Sequence, residues 1–315
     1  MADPKVSICI PTYQQVTLLE KCLDSVLMQD YPDYEIIISD DTPDESVRKL
    51  LDNEKYKNKV KYFHNAVALG TPENWNHAVS MAGGKFIKVL HHDDFFTEKH
   101  SLKTLVGLMD NRTASDLAFC ATRVWNVRTD EKRIHCCSLK QLERIRIEPE
   151  FLFFRNMIGA PSATMYSAGL DITYDRNMKW LVDVDFYIRV LQKNPTLVMT
   201  PEPLICTADG AGGQVTQSVH NDKQIQVSEH CMLFEKLYPG IKNKEKFILF
   251  FGELFTRFEV NSMDELKVIY NFGSGLRTFF DDVFSQKNKK PLYKKARNWF
   301  YGSRFNNQLF KFEKY

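Results

Sequence analysis

Residues 5–41 read KVSICIPTYQQVTLLEKCLDSVLMQDYPDYEIIISDD, and the change of period inside that stretch decides the fold class. Lys5 to Ile10 is a compact apolar run ending at Pro11, with the length and composition of a buried strand. Leu18, Leu19, Cys22, Leu23, Val26 and Leu27 then recur at helical spacing, and Glu35 to Ser39 turns β-branched again. Strand, helix and strand in that order form a βαβ unit, whose two strands lie parallel. The alternation continues downstream. Asp44 to Leu51 reads as a helix capped by Asp44, Val60 to Phe63 as a strand, Asn74 to Ala82 as a helix and Phe86 to Leu90 as a strand. The expected class is α/β, with a mostly parallel, Rossmann-like sheet.

Farther along, Lys99 to Met109 is expected to be helical, Leu117 to Trp125 extended, Glu148 to Asn156 helical and Ser162 to Tyr166 extended. Asp183 to Gln192 reads as a helix with Phe186, Val190 and Leu191 on one side, followed by a short strand, Thr196 to Met199, and a small-residue loop, Ala208 to Gly213. From about His220 the strand signal ends, leaving helical patterns at Gln224 to Leu237, Glu245 to Glu259 and Met263 to Phe284. The boundary therefore falls near 220. An α/β domain of residues 1–219, with halves of about 1–98 and 99–219, precedes a helical C-terminal region, 220–315.

With 43% hydrophobic and 26% charged residues, the 315-residue chain is neither collagen-like, mucin-like nor disordered. Lysine and arginine total 42 against 40 acids, which argues against a generic polyanion binder, and no nucleic-acid partner is expected. Seven cysteines without a CxxC pair suit a reduced, cytoplasmic compartment. Met1 to Pro11 lacks a signal-peptide core, and Phe247 to Val260 is broken by Glu253, Arg257 and Glu259, so no membrane span is expected. From Lys287 onward cations interleave with aromatics. That tail suits an anionic membrane surface, with Trp299, Phe300, Tyr301 and Phe305 at the interface, and equally a helix packed on the domain with its lysines outward.

In an open parallel sheet, ligands bind beyond the carboxyl ends of the strands. Pro11, Thr12 and Tyr13 follow the first strand, Asp40 and Asp41 the second, and His91, His92, Asp93 and Asp94 the fourth. Asp40 and Asp41 also suit ordinary turns and caps. Asp93 and Asp94 say more, because adjacent carboxylates beside two imidazoles repel one another unless a cation sits there. Magnesium or manganese bound together with substrate phosphates fits oxygen ligands, and an imidazole inclines the choice toward manganese.

Taken in order, Pro11-Thr12-Tyr13, Ser39-Asp40-Asp41-Thr42-Pro43-Asp44, Asn74-Trp75-Asn76, Gly83-Gly84-Lys85-Phe86 leading into His91-His92-Asp93-Asp94, and Asp183-Val184-Asp185-Phe186-Tyr187-Ile188-Arg189 resemble a family 2 glycosyltransferase of GT-A fold, of the bacterial surface-polysaccharide type. The resemblance implies a nucleotide-sugar donor, a UDP-sugar first among them, and inverting transfer to the hydroxyl of a glycan or lipid-linked glycan, with Mn2+ or Mg2+ as cofactor. It places Pro11, Thr12, Tyr13, Asp40, Asp41, Asn76, His92 and Asp93 around the donor, Tyr13 stacking on the base and Asp41 accepting from its edge. Asp93 matches the second carboxylate of the family's DxD motif, Asp94 lies beside it, and His220 matches a further metal or diphosphate ligand of some relatives. The first DxD position is His91 here, a departure that bears on the preferred metal. Asp183 matches the general base, with Asp185 as its neighbour in the same helical turn.

Three rivals are weaker. Phosphoester hydrolases built on His-Asp metal centres are helical, whereas this cluster follows a strand. A dinucleotide oxidoreductase needs GxGxxG where Pro11-Thr12-Tyr13 stands. An inactive nucleotide-sugar-binding or membrane-docking module remains the non-enzyme alternative, for which His91 in place of an acid is the argument.

Overall fold

The structure is a computed structural model, and it describes residues 3–110, 115–210 and 219–287. The order β1 (Val6–Thr12), α1 (Val16–Leu27), β2 (Tyr34–Asp40), α2 (Ser46–Leu51), β3 (Val60–His64), α3 (Glu73–Ser80), β4 (Phe86–Val89) follows the expected alternation. All seven residues of β1 are buried, because it lies between two parallel neighbours, β2 (Ile8 opposite Ile36) and β4 (Val6 opposite Phe86). Leu19, Cys22, Leu23 and Val26 of α1 pack on Ile8, Ile10, Ile36 and Ile38, which together form the core under the sheet. With β3 parallel to β2, the run β3-β2-β1-β4 brings the carboxyl ends of four strands to one edge.

The other half of the sheet is mixed. The elements are β5 (Asp94–Phe96), α4 (Ser101–Asp110), β6 (Leu117–Asn126), β7 (Lys132–His135), α5 (Leu139–Ile147), β8 (Thr164–Ser167), α6 (Val182–Lys193) and β9 (Leu197–Asp209). The sheet continues β4-β8-β6-β9-β5, with β7 paired to β6. Since β8 runs antiparallel to both β4 and β6, β6 points the same way as β4. Its far end therefore reaches the edge to which β4 delivers its chain.

Several expectations shift. The helix expected over 148–156 lies earlier, as α5, which starts at a capping box between Ser138 and Gln141. Pro149, lacking an N–H, begins a separate 3-10 turn, Pro149–Phe153. The short strand at 196–199 is the start of β9, which runs to Asp209 with an irregular register opposite Cys120 to Thr122, where Pro203 faces Ala121. Asp44 caps no helix; its Oδ1 accepts from the Ser46 N–H at 2.8 Å in the turn before α2.

The chain divides into two compact units, Met1–His220 and the residues from Asn221 on. The second contains α7 (Lys223–Leu237), α8 (Glu245–Arg257), α9 (Met263–Ile269) and α10 (Arg277–Lys287). The single helix expected over 263–284 is thus two, parted by extended residues 270–273 and a 3-10 turn, Ser274–Leu276. Phe234 of α7 centres this core, its ring 4.3 Å from Phe279 and 5.1 Å from both Phe247 and Phe251. Among the described residues no helix is long and apolar enough to cross a membrane. The basic, aromatic tail beyond Lys287 lies outside the described residues.

Candidate active site

The edge beyond β1 and β2 is held by hydrogen bonds to main chain. The Thr12 carbonyl accepts from the Asp41 N–H (2.9 Å) and from Asn74 Nδ2 (3.2 Å). After it the chain exposes Tyr13, whose residue surface is 48% accessible, and turns through Gln14 and Gln15 at φ of 55° and 50°. Asp40 is fully buried, accepting from the Thr42 N–H and the Tyr62 hydroxyl, each at 2.8 Å. Asp41 gathers the following loop: Asn65 Nδ2 (2.8 Å) and the Leu69 N–H (3.0 Å) donate to Oδ1, and the Gly70 N–H (2.8 Å) to Oδ2. Gly70 has φ of 73°, which a residue without Cβ adopts at no steric cost. Asn76 is clasped to the Tyr174 backbone in both directions, 2.9 Å each. Asp40 and Asn76 therefore brace the protein itself, while Tyr13 stands open at the rim.

The acidic cluster is positioned by β4. The Leu90 N–H extends the ladder to the Cys9 carbonyl (2.9 Å), Ser162 Oγ accepts from the His91 N–H (3.0 Å), and the Asp94 N–H returns to the His91 carbonyl (2.9 Å), closing a tight turn. That turn brings ligand atoms of His91, Asp93 and Asp94 all within 4.8 Å of one another. Trp75 packs on the His91 ring at 4.6 Å and meets Tyr174 edge-on at 5.2 Å, fixing the imidazole plane. His92 donates Nδ1–H to the Pro11 carbonyl (3.2 Å), which fixes the ring against the end of β1. Nε2 of His91 and of His92 are buried and make no hydrogen bond.

Electrostatics fit a cation at this turn. Burial first, and the Asp93 charge second, hold the Asp94 carboxyl well above the usual carboxylate range. Burial pulls His91 down to about 4 against the opposing Asp93 charge, so at neutral pH the ring offers a lone pair. Beneath them the fully buried Lys88 donates to the carbonyls of Ser162 and Thr164 and is pulled down to about 8 by desolvation. A neutral imidazole and two adjacent carboxyl groups, of which Asp94 resists ionising until a positive charge is near, suit a magnesium- or manganese-type ion. His91, which the sequence presents as a departure, thus stands with the two carboxyl groups among the atoms that could hold such an ion. His220 is not part of it and lies instead against Trp180, the ring centroids 5.8 Å apart.

At the start of α6 the two candidate bases separate. Asp185 is fully buried and takes Arg189 through Nε (2.8 Å) and Nη2 (2.6 Å), while the same guanidinium reaches the Thr173 carbonyl (2.7 Å). Asp183 is half-buried; its Oδ1 accepts from the Val184 N–H and its Oδ2 from Asn156 Nδ2, both at 2.8 Å. Asn156 is in turn locked, its Oδ1 accepting from the Ile158 (3.1 Å) and Gly159 (2.9 Å) N–H groups. Sequence reading had no signal for Asn156, which comes from the irregular segment after α5.

Comparison with known proteins follows this geometry. Residues 7–173, more than half of the chain, match the family described as Glycosyl transferase family 2. The chain is 37% identical over 93 residues to the GalNAc(5)-diNAcBac-PP-undecaprenol beta-1,3-glucosyltransferase of Campylobacter jejuni, a match covering 29% of this chain and 30% of that protein. It is 32% identical over 119 residues to the abequosyltransferase RfbV of Salmonella typhimurium, covering 36% and 35% respectively. The chain spans only about a third of the length of these curated relatives. Among solved structures, S. aureus TarS in complex with UDP-GlcNAc superposes with a TM-score of 0.61 at 18% identity over 93% of this chain and 87% of that one. The fold is GT-A, with a helical C-terminal region.

Proposed function

We propose that this chain, which belongs to glycosyl transferase family 2, moves a sugar from a nucleotide-diphosphate donor to a hydroxyl acceptor with inversion at the anomeric carbon, in the building of a surface polysaccharide. The observation that carries the reading is the meeting of the His91, Asp93 and Asp94 ligand atoms at the carboxyl edge shared with Pro11 to Tyr13 and Asp41. A UDP-sugar is the proposed donor, which the TarS complex supports, and the acceptor a glycan or lipid-linked glycan, which the names of the relatives support. His91, Asp93 and Asp94 would hold Mn2+ or Mg2+, which when bound offsets the charge gathering on the departing diphosphate. His220 stands outside that set.

Tyr13, at the exposed rim, supplies a ring for the nucleotide base, and Asp41 shapes the wall beside it by holding Asn65, Leu69 and Gly70. Asp183 takes the proton of the attacking hydroxyl on a carboxylate oxygen, which Asn156 and the Val184 N–H orient. Asp185 is bound to Arg189 and has no part in that step. The tail from Lys287 supports contact with an anionic membrane surface at which a lipid-linked acceptor resides.

A thermal-shift panel of nucleoside diphosphates and nucleotide sugars, with and without manganese, tests the reading. The expected result is a donor-specific rise in melting temperature that requires manganese and disappears in Asp93→Ala. No rise with any nucleotide would replace the transferase by an inactive binding module.

A further inference from the structure

A second charged surface is built on β6, β7 and β9, and β9 reaches the acidic turn through the Ala208 N–H, which donates to Asp94 Oδ1. In the β6–β7–β9 register, Arg123 stands opposite both Ile134 and Cys206, and two residues on Trp125 stands opposite both Lys132 and Ala208. Residues paired across strands point to the same face, as do positions two apart along one strand, so Arg123, Trp125 and Lys132 share a face. Phe95 of β5, opposite Cys206, joins them, its ring 6.3 Å from Trp125 and nearly perpendicular to it. Lys21 of α1 reaches over both rings, Nζ lying 4.0 Å from the Phe95 centroid and 4.2 Å from that of Trp125.

Three cations thus converge around two aromatic rings. Among the described residues, Lys21 and Arg123 make no ion pair, and one carboxylate serves this face: Asp130, 3.6 Å from Lys132 and bound by Trp125 Nε1 at 2.7 Å, is held below the usual carboxylate range by Trp125 first and by the charges of Lys132 and Lys21. The convergence is felt at Cys206. Its thiol is pushed up by burial and by Asp94, and pulled back by Lys21, Arg123 and Lys132 together. Three like charges served by one carboxylate are left with excess positive charge in the free protein, so their natural complement is a multivalent anion.

The position of this face relative to the acidic turn identifies the anion. β6 points the same way as β4, so its end emerges at the edge where His91 to Asp94 stand, and the N–H of Ala208, paired with Trp125, donates to Asp94 Oδ1 at 3.2 Å. The donor side, built on β1 and β2, lies across β4 and β8 from it in the sheet order. We propose that the face formed by Lys21, Arg123 and Lys132 around Phe95 and Trp125 binds the phosphate or diphosphate group of the acceptor, delivering the acceptor beside the acidic turn. The guanidinium of Arg123 offers paired donors to phosphate oxygens, the two ammonium groups supply charge, and the rings exclude water from one side. The assignment of that anion to the acceptor rests on the transferase reading; the anion site itself does not.

Inorganic pyrophosphate in EDTA is the probe, followed by isothermal titration calorimetry on the full chain. The wild type is expected to bind it saturably, more weakly as salt rises, and the variant carrying Lys21→Ser, Arg123→Ser and Lys132→Ser to bind roughly tenfold or more weaker. Asp93→Ala should bind it as the wild type does, and the manganese-dependent nucleotide shift should persist in the triple variant, showing that it is folded. Equal binding by the triple variant, or loss in Asp93→Ala, would overturn the proposal by moving pyrophosphate to the acidic turn. Sedimentation of the wild type, but not of the triple variant, with phosphatidylglycerol vesicles, without pyrophosphate binding, would overturn it in favour of a lipid headgroup surface. If instead pyrophosphate binds as expected and no nucleotide shifts the wild type, the anion site stands and the transferase reading falls.

Discussion

Asp183 and Asp185 sit in the same first turn of α6, and what each touches divides their work. A carboxylate fully buried and bound by a forked guanidinium holds structure; Asp185→Asn, which leaves Arg189 without its charge partner, should cost about 3 kcal/mol in urea denaturation and leave donor affinity alone in the fraction that folds. Asp183→Asn should lower kcat by about a hundredfold or more with the manganese-dependent nucleotide shift unchanged, and a full kcat would remove Asp183 from the chemistry. Asn156→Ala discriminates further. Losing a hydrogen bond to the charged carboxylate raises the pKa of that carboxylate, so the acid limb of the kcat profile should move to higher pH while nucleotide binding holds; a fall in kcat with an unmoved limb would mean that Asn156 only supports the loop. Sequence separates the two aspartates because helical geometry sends them in different directions. It could not reveal Asn156, which lies 27 residues from Asp183 and meets it through an irregular loop. The tilted packing of Trp75 on His91, whose ring sits with Asp93 and Asp94 in the group that could hold a cation, likewise exists only once α3 and β4 are packed.

At the level of elements, β4 carries the acidic turn, and its placement depends on how closely its entry approaches β1. A Cβ on Gly84 would lie 2.6 Å from the Ser7 nitrogen and 2.8 Å from the Val6 carbonyl carbon, both main chain, while the Gly84 N–H donates to Ser7 Oγ at 2.8 Å. Neither backbone atom can yield without parting β1 from β4, so Gly84→Ala should destabilise the chain by about 1–3 kcal/mol and, by displacing the strand that ends at Leu90, weaken manganese binding measured by electron paramagnetic resonance. Gly83→Ala is the control, since its Cβ would meet Glu35 Oε1 at an ordinary 3.5 Å. Equal stability in the two variants would show that the close approach does not fix β4. The same physics explains which elements the sequence discloses. β1 to β4 alternate with amphipathic helices, and each half of that alternation is long enough to carry a period. β5 and β7, of three and four residues, are too short for one, and their pairing with β9 and β6 is a tertiary matter. The helix expected over 148–156 failed locally at Pro149, which starts a 3-10 turn in place of a continuing α-helix.

Across the whole chain, the change from alternating strands and helices to helices alone near residue 220 coincides with two different cores: an aliphatic one under the sheet and an aromatic one around Phe234. The second core also buries polar groups, among them His230, whose Nδ1–H donates to the Gln226 carbonyl at 2.6 Å and whose ring lies 5.1 Å from Phe250. Burial pulls this imidazole down to about 4, opposed by the Gln226 carbonyl and assisted by Arg257. In the unfolded chain the ordinary value is near 6.5. Between those two values the unfolded state binds a proton that the folded state refuses, so stability is lost as pH falls from about 6.5 to about 4 and changes no further below that. The loss attributable to this group is about 3 kcal/mol. Hydrogen exchange of the α7 amides at pH 7 and pH 4.5, corrected for intrinsic rates, reads it locally. His230→Gln keeps a donor for the Gln226 carbonyl and takes up no proton, so the acid loss of protection should shrink in that variant by about 2–3 kcal/mol. An equal acid loss in both proteins would place the titrating group elsewhere in the second unit, and would mean that the His230 ring reaches water readily enough to be protonated in the folded state.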